Sequence, residues 1–332
     1  MSTTAPAQEN TMKAMVITRY GSPDVLELQD IDRPVVGDDD VLVRVRAASV
    51  NPYDWHIMRG LPYLVRTDSG LRRPKNTRLG VDLAGQVEAV GKNVSQFQPG
   101  DEVFGGRWGA FAEYVVGQER HFVLKPANLP FEQAAAVAAA GCTALQALRN
   151  KGRLQPGQRV LINGAAGGVG TFAVQIARAF GADVTGVCST RNLDMIRSLG
   201  ADHVIDYTRE DFTRLGQRYD LILDVAANRS LLEYRRVLDA NGILVLVGAP
   251  DGRWLGPVAR PLGALVLSRF VSQKMLPFLA KQTKGDLAAL KELIEAGKIT
   301  PVVDRIYPLS QTPDAIRYLE TGHARGKVVI TI

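Results

Sequence analysis

The sequence predicts an α/β protein with two domains, one of which contains a doubly wound parallel sheet. Three observations predict this. Strand and helix patterns alternate from about residue 131, short strands with intervening turns fill residues 13–130, and a glycine-rich loop connects one strand to a helix. Alternating strands and helices favour a parallel sheet, whereas many short strands favour a small β-barrel. At 332 residues the chain is also long for a single core.

The first part of the chain carries strand patterns bounded by turn residues. In the run Val41–Val50 the apolar positions alternate with Arg44 and Arg46, which is typical of a half-buried strand. Further strands are predicted at 13–17, 83–90, 102–104 and 111–116. Residues 1–11 are polar and predict a disordered tail.

The second part alternates between helix and strand. An alanine-rich segment, 132–151, predicts one helix. Strands are then predicted at 159–163, 183–188, 203–206, 219–225 and 242–248, and helices at 168–180, 193–199, 229–239 and 286–296. The chain ends in an apolar strand that is expected to return to the first domain. The predicted domains are therefore a β-barrel domain (12–130 with 300–332) and a doubly wound domain (131–299).

The glycine-rich loop is the most informative motif. The apolar run Val160–Ile162 leads into it, and a helix follows with apolar residues spaced along one face. Strand, glycine turn, helix and second strand together hold the pyrophosphate of a dinucleotide at a helix N-terminus. The candidate cofactor-binding residues in the loop are Gly164, Ala165, Ala166, Gly167, Gly168, Val169 and Gly170.

The end of the second strand of this unit predicts which dinucleotide binds. Sites for NAD usually place an acid there, which binds the ribose 2′-hydroxyl. This chain instead has Ser189, Thr190 and Arg191. Two hydroxyls and a guanidinium suit a 2′-phosphate, so the expected cofactor is NADPH. The alternative is that Arg191 is a solvated surface cation.

Composition excludes several classes of protein. Hydrophobic residues make up 46% of the chain and charged residues 22%, the net charge is +6, and the pI is near 9.3. The charges are scattered, so no nucleic-acid partner is expected. Only Cys142 and Cys188 are present, which excludes a disulfide framework and a zinc site of several cysteines. No apolar stretch is long enough to span a membrane, and a cytoplasmic location is expected.

Several further motifs give a family resemblance. They are Ala48–Asp54, Gly80–Gly85, Phe97–Val103, the glycine-rich loop, and Gly322–Lys327. Together they resemble a medium-chain dehydrogenase/reductase of the zinc-independent NADPH:quinone oxidoreductase branch, from Met12 to Ile332. The resemblance implies a GroES-like catalytic domain, a Rossmann domain, and hydride transfer in the cleft between them.

The resemblance also implies roles for residues outside the loop. Thr143 resembles the threonine beside the nicotinamide ribose; its alternative role is a bond to its own helix backbone. Tyr207 resembles a tyrosine that approaches the 2′-phosphate. Gly248 and Lys327 are expected to line the cofactor cleft through backbone contacts.

Zinc-dependent members of the family differ at positions that can be checked. Asn51 and Val81 stand where those members carry metal ligands, so no metal is expected. Without a Lewis acid, the easier reaction is hydride delivery to a small electron-poor acceptor, such as a quinone or an α,β-unsaturated carbonyl. Asn51 and Tyr53 are the candidate catalytic residues that polarise the acceptor oxygen. The alternative role of Asn51 is to form a turn, and that of Tyr53 is to pack in the barrel. An enoyl-thioester reductase and a non-catalytic NADPH-binding redox sensor remain alternative functions.

Residues 254–284 form a basic, amphipathic segment with large apolar side chains between lysines and arginines. Three interpretations stay open: a pocket wall, a subunit contact, or contact with an anionic membrane surface. The protein is expected to be a homodimer.

Overall fold

The structure is a computed structural model that describes residues 11–248 and 256–332. Its strands are β1 (Thr11–Ile17), β2 (Leu26–Asp32), β3 (Asp40–Val50), β4 (Asp82–Val90), β5 (Glu102–Gly106), β6 (Tyr114–Gln118), β7 (Phe122–Leu124), β8 (Arg159–Asn163), β9 (Asp183–Cys188), β10 (His203–Asp206), β11 (Tyr219–Asp224), β12 (Leu238–Leu246), β13 (Lys274–Pro277), β14 (Val303–Pro308) and β15 (Lys327–Thr331). The predicted tail lies outside the described residues except for Thr11, which begins β1.

The helices connect these strands. They are α1 (Pro52–Arg59), α2 (Val65–Ser69), α3 (Phe131–Ala135), α4 (Ala138–Gln146), α5 (Gly168–Ala179), α6 (Leu193–Ser198), α7 (Leu231–Val237), α8 (Gly256–Leu267), α9 (Lys284–Glu295) and α10 (Thr312–Glu320), with a π-helical segment at Ala147–Lys151.

The first large sheet contains strands from both ends of the chain. Its order is β14-β15-β3-β4-β5-β7, with β6 also pairing with β3. The C-terminal strand β15 pairs antiparallel with β3, with Val328 opposite Val50, as the sequence predicts. Among the described residues this sheet is an open path, since no pairing joins β7 to β14. The GroES-like part, as far as the structure describes it, is therefore an open sheet and not a closed barrel; β14 and β15 pair in parallel, and the other pairs are antiparallel.

The second large sheet has the order β10-β9-β8-β11-β12-β13, and all its pairs are parallel. The chain begins this sheet at β8, extends to β9 and β10 on one side, and then continues with β11 on the other. The strand order reverses next to β8. Ligands of doubly wound sheets bind at the carboxyl ends of the strands at such a point. The predicted fold class is confirmed.

One hydrophobic cluster joins the two sheets. It contains Ala84 and Phe104 from the first sheet, Cys142 from α4, and Phe172 from α5. Because the same buried side chains contact both sheets, the end of β3 and the start of β4 are held close to the glycine-rich loop.

The predicted alanine-rich helix over 132–151 is wrong, because the chain forms α3, α4 and the π-helical segment. Every alanine favours a helix, so the sequence carries no local stop signal. The interruption has a tertiary cause. The carboxylate of Asp82, on β4, accepts a hydrogen bond from the backbone N–H of Ala139 at 3.0 Å and thereby caps the start of α4.

Candidate active site

The glycine-rich loop, Gly164–Gly170, is predicted to bind a dinucleotide and is called the dinucleotide loop below. It runs from the end of β8 into the first turn of α5. Gly164 has a φ of +91°, which favours glycine. A Cβ on Gly170 would lie 2.2 Å from the carbonyl oxygen of Gly164. Any side chain there would separate the loop from the helix. Ala165, Ala166, Gly167 and Val169 complete the loop, as the sequence predicts.

The start of α5 fits the phosphates of a dinucleotide. The helix begins at Gly168, and the N–H groups of a helix's first turn have no acceptor within the helix. They carry the positive end of the helix dipole. No side chain projects from Gly167 or Gly168 into the space above them. These residues can therefore hold a pyrophosphate group.

A second part of the site follows β9, where Ser189 precedes a short 3-10 turn, Thr190–Asn192. Arg191 donates from Nη2 to the carbonyl oxygen of His323 at 2.9 Å, so its guanidinium lies against the C-terminal segment. Thr190 donates from Oγ1 to Oδ2 of Asp206 at 2.5 Å. That hydrogen bond holds the pKa of Asp206 below its usual range.

Asp206 is an acid that the sequence analysis missed. It ends β10 and lies opposite Cys188 in the parallel register, so it stands beside the end of β9 although it is distant in sequence. Its Oδ1 accepts from the N–H of Thr208 at 3.0 Å and from the hydroxyl of Thr208 at 2.7 Å. Protein donors therefore occupy both of its oxygens.

Three other predicted residues lie outside the loop: Tyr207 and Gly248 follow strands of the parallel sheet, and Thr143 lies on α4. The side chain of Tyr207 is 51% exposed directly after β10. Gly248 follows β12, and a Cβ there would lie 2.2 Å from the carbonyl oxygen of Val225. Thr143 donates from Oγ1 to the carbonyl oxygen of Ala139 at 2.6 Å, which is the helix-backbone bond left open as its alternative.

A cluster of buried polar side chains joins the first sheet to the dinucleotide loop. Asn51, at the end of β3, donates from Nδ2 to the carbonyl oxygen of Ser49 at 3.2 Å and to Oδ2 of Asp82 at 3.1 Å. Its Oδ1 accepts from Nζ of Lys327 at 2.6 Å. Both amide hydrogens of Asn51 therefore already have acceptors within the protein, and its role toward an acceptor molecule stays a prediction.

Asp54, the third residue of α1, is buried and helps to cap the start of the helix. Its Oδ2 accepts from the backbone N–H of Asn51 at 2.8 Å, and its Oδ1 accepts from the N–H of Gly80 at 3.1 Å. Burial raises the pKa of Asp54 to about 7, and the neighbouring carboxylate of Asp82 adds to the rise. Asp54 therefore fixes the turn that carries Asn51 and Tyr53.

Tyr53 is the candidate catalytic residue that remains open to solvent. It is 54% exposed, and its ring meets that of Trp108 edge to face at a centroid distance of 5.8 Å. Burial of its inner side and the nearby carboxylate of Asp54 raise the pKa of its hydroxyl, so that it stays a hydrogen-bond donor. Tyr53 and Trp108 form an aromatic wall next to the buried cluster.

A second buried polar cluster lies below the dinucleotide loop. Asn163 donates from Nδ2 to Oδ1 of Asp224 at 3.0 Å and to the hydroxyl oxygen of Tyr234 at 2.7 Å. Arg260, on α8, forms an ion pair with Asp224. Part of the basic segment 254–284 thus points inward, whereas its first two residues, Trp254 and Leu255, lie outside the described residues.

Asn51 and Val81 stand at the two positions where the sequence analysis expects no metal ligand. Asn51 is hydrogen-bonded as above, and Val81 offers no donor atom. In residues 11–248 and 256–332 no group of three or more His, Cys, Asp or Glu side chains lies close enough together to hold a metal ion. Burial raises the pKa of the Cys142 thiol to about 12, which disfavours a thiolate ligand.

Comparisons with known proteins match this arrangement. A model of the alcohol dehydrogenase GroES-like domain matches residues 37–128, and a zinc-binding dehydrogenase model matches residues 199–330. A 2-methylene-furan-3-one reductase of Solanum lycopersicum is 36% identical over 96% of this chain and 79% of its own length. The chain belongs to the medium-chain dehydrogenase/reductase superfamily. The predicted resemblance, including the quinone oxidoreductase-like branch, is confirmed.

Two further relatives cover most of the chain. An NADPH-dependent alkenal/one oxidoreductase of Arabidopsis thaliana is 35% identical over 96% of this chain and 79% of its own length. The structure of a quinone oxidoreductase from Coxiella burnetii superposes with a TM-score of 0.85 at 30% identity, covering 97% of this chain and 99% of that one. These relatives are named as reductases or oxidoreductases, which confirms the expectation of an enzyme of this type.

Proposed function

We propose that this protein transfers a hydride from NADPH to a quinone or an α,β-unsaturated carbonyl compound, without zinc. The observation that carries the proposal is a shared contact between the dinucleotide loop and the first sheet. The dinucleotide loop and the Asn51–Tyr53 turn of the first sheet both contact Lys327. A dinucleotide held at α5 and an acceptor held against Tyr53 would therefore share one cleft.

The preference for NADPH rests on the residues after β9. Arg191 has further guanidinium hydrogens beyond the one given to His323, and these can bind a 2′-phosphate. The nearby acid, Asp206, is occupied by Thr190 and Thr208, so it offers little to a ribose 2′-hydroxyl. Both features favour NADPH over NADH.

The proposal of a zinc-independent reaction rests on Asn51 and Val81. Reduced nicotinamide supplies the hydride, and an electron-poor acceptor needs no Lewis acid to receive it. What the protein must add is orientation of the acceptor and a donor toward the oxygen on which negative charge develops. Tyr53 provides an exposed hydroxyl with a raised pKa and a ring on which a flat acceptor can lie.

The class of acceptor is supported by the relatives. Their names include a 2-methylene-furan-3-one reductase, an alkenal/one oxidoreductase and a quinone oxidoreductase. These substrates share a conjugated carbonyl group. We assign the same chemical class to this protein.

The test is the rate of NADPH oxidation, followed by absorbance, with a panel of quinones, enones and enoyl thioesters, each repeated with NADH. We expect turnover with at least one quinone or enone and a higher kcat/KM for NADPH than for NADH. Turnover with thioesters alone would instead support the enoyl-thioester reductase. Tight NADPH binding with no turnover on any acceptor would support the redox sensor.

We further propose a cytoplasmic homodimer. Strand β13 forms an edge of the parallel sheet, and beside it several large apolar side chains are more than half exposed: Leu262, Leu265, Val266 and Phe270. A second copy would cover such a patch.

In the described residues no helix is long and apolar enough to cross a membrane. Light scattering with wild type and Phe270→Asp tests the dimer, and cell fractionation tests the location. A wild-type monomer, or recovery with membranes, would contradict these proposals.

A further inference from the structure

Lys327 occupies an unusual position between the two sheets. Its side chain is 4% exposed, although it carries an ammonium group. Its Nζ donates to Oδ1 of Asn51 at 2.6 Å and to the carbonyl oxygen of Val50 at 3.2 Å, and it lies 3.7 Å from Oδ2 of Asp82. The ammonium is thus bound entirely by the turn at the end of β3 and by β4.

The stem of the same side chain lies against the dinucleotide loop. A Cβ placed on Gly168 would be 2.9 Å from Cδ of Lys327. The backbone of the preceding residue is fixed to the loop as well, since Gly326 donates from its N–H to the carbonyl oxygen of Ala166 at 2.8 Å. Lys327 therefore contacts the dinucleotide loop with its aliphatic stem and the Asn51–Tyr53 turn with its ammonium group.

Stability alone does not explain a buried charge at this place. Removing an ammonium and a carboxylate from water costs several kcal/mol per ion, and apolar side chains of similar volume often serve equally well. Asp82 is also fully buried and is held by four further donors, on Ser49, Asn51, Ala139 and Gln282. What this network of hydrogen bonds provides is a fixed position of Lys327 relative to Asn51 and Asp82.

We propose that Lys327 is a positioning residue that sets the separation between the dinucleotide loop and the Asn51–Tyr53 turn. This inference rests on the proposed hydride transfer, because that separation fixes the approach of the acceptor to the cofactor. It assigns to the side chain a role beyond the backbone contacts expected from the sequence.

The test compares Lys327→Met with Lys125→Met. Methionine keeps most of the stem and removes the ammonium. Lys125 is a matched control, because its side chain is 7% exposed and its Nζ binds the carbonyl oxygen of Leu129 at 2.6 Å and Glu102 at 3.2 Å. None of these partners belongs to the dinucleotide loop or to the turn.

For Lys327→Met we expect kcat per folded enzyme to fall at least about tenfold, since a displacement of about 1 Å can cost about 10²-fold in rate. The dissociation constant for NADPH should change by less than about threefold, because the partners of the ammonium, Val50, Asn51 and Asp82, lie outside the dinucleotide loop. In the protein without NADPH, amide hydrogen exchange should become faster in both 49–54 and 322–327. Lys125→Met should change neither kcat nor the exchange of these segments.

A double variant separates positioning from stability. Lys327→Met with Asp82→Asn removes both charges, so the free energy of unfolding should recover relative to Lys327→Met, whereas kcat should stay low. If kcat recovers together with stability, or if NADPH affinity falls as much as kcat, the proposal is overturned. If wild type reduces no acceptor, the proposed function fails, and hydrogen exchange alone then decides whether Lys327 couples the two segments.

Discussion

The buried carboxyl of Asp54 makes the stability of this protein depend on pH in a direction that can be calculated. Burial raises its pKa from 3.8 to about 7, a rise of about three pH units. Each unit corresponds to 1.36 kcal/mol, so the ionised form costs on the order of 4 kcal/mol in the folded state. Between pH 4 and pH 7 the folded protein binds more protons at Asp54 than the unfolded chain does. The contribution of Asp54 to the free energy of unfolding therefore falls as pH rises.

Asp54→Asn removes this dependence. Asparagine cannot ionise, but its one carbonyl oxygen replaces two carboxylate oxygens that accept hydrogen bonds from Asn51 and Gly80. We expect the variant to be less stable than wild type at pH 4. The difference in the free energy of unfolding, variant minus wild type, should rise by about 4 kcal/mol between pH 4 and pH 8.

The measurement is urea denaturation of wild type and Asp54→Asn at pH 4, 5, 6, 7 and 8. Asp194→Asn is the control, because Asp194 is fully exposed on α6 and pairs only with Arg197 within the described residues. It controls for the loss of one carboxylate at the surface. A difference between Asp54→Asn and wild type that does not change with pH would refute a raised pKa of Asp54 caused by burial.

Three further results are expected. Arg191→Ala should weaken NADPH binding by about 1.5–3 kcal/mol and leave NADH nearly unchanged, as measured by fluorescence titration, with Arg197→Ala as the control for net charge; equal losses for both cofactors would refute the assignment. Tyr53→Phe keeps the ring against Trp108 and should lower kcat by up to about 10²-fold with little change in NADPH affinity. Tyr114→Phe, the control, should leave kcat unchanged. Unchanged turnover of Tyr53→Phe would make Tyr53 a packing residue. Dialysis against a chelator should leave turnover intact, because Asn51 and Val81 stand at the ligand positions, and stoichiometric zinc whose removal abolishes activity would contradict this.

The sequence predicted the parts of the fold whose causes are local. The glycine-rich loop needs a positive φ at Gly164 and no Cβ at Gly170, and both requirements are visible in the residue types themselves. The helical period after the loop predicted α5, and the apolar run before it predicted β8. The strand β2 was missed because its apolar residues, Leu26, Leu28 and Ile31, do not keep the alternation that marks a strand.

The parts that could not be predicted depend on contacts between distant segments. Asp82 accepts hydrogen bonds from Ala139 at the start of α4 and from Asn51, but nothing near it in the sequence indicates either contact. Asp206 reaches the end of β9 only through the parallel register of β9 and β10. Asn51 was expected to face the acceptor because the family resemblance places its turn in the cleft, and the ammonium that binds its side chain comes from the last strand.

The transfer of deuterium tests the central claim most directly. NADPH deuterated at C4 of the nicotinamide, on each face in turn, is incubated with the enzyme and the best enone of the panel, and the product is analysed by mass spectrometry and NMR. The account predicts one deuterium at the β-carbon of the reduced enone from one of the two labelled cofactors, in an amount equal to the NADPH consumed, with and without chelator. A reduced product without deuterium from either cofactor would contradict direct hydride transfer in this cleft.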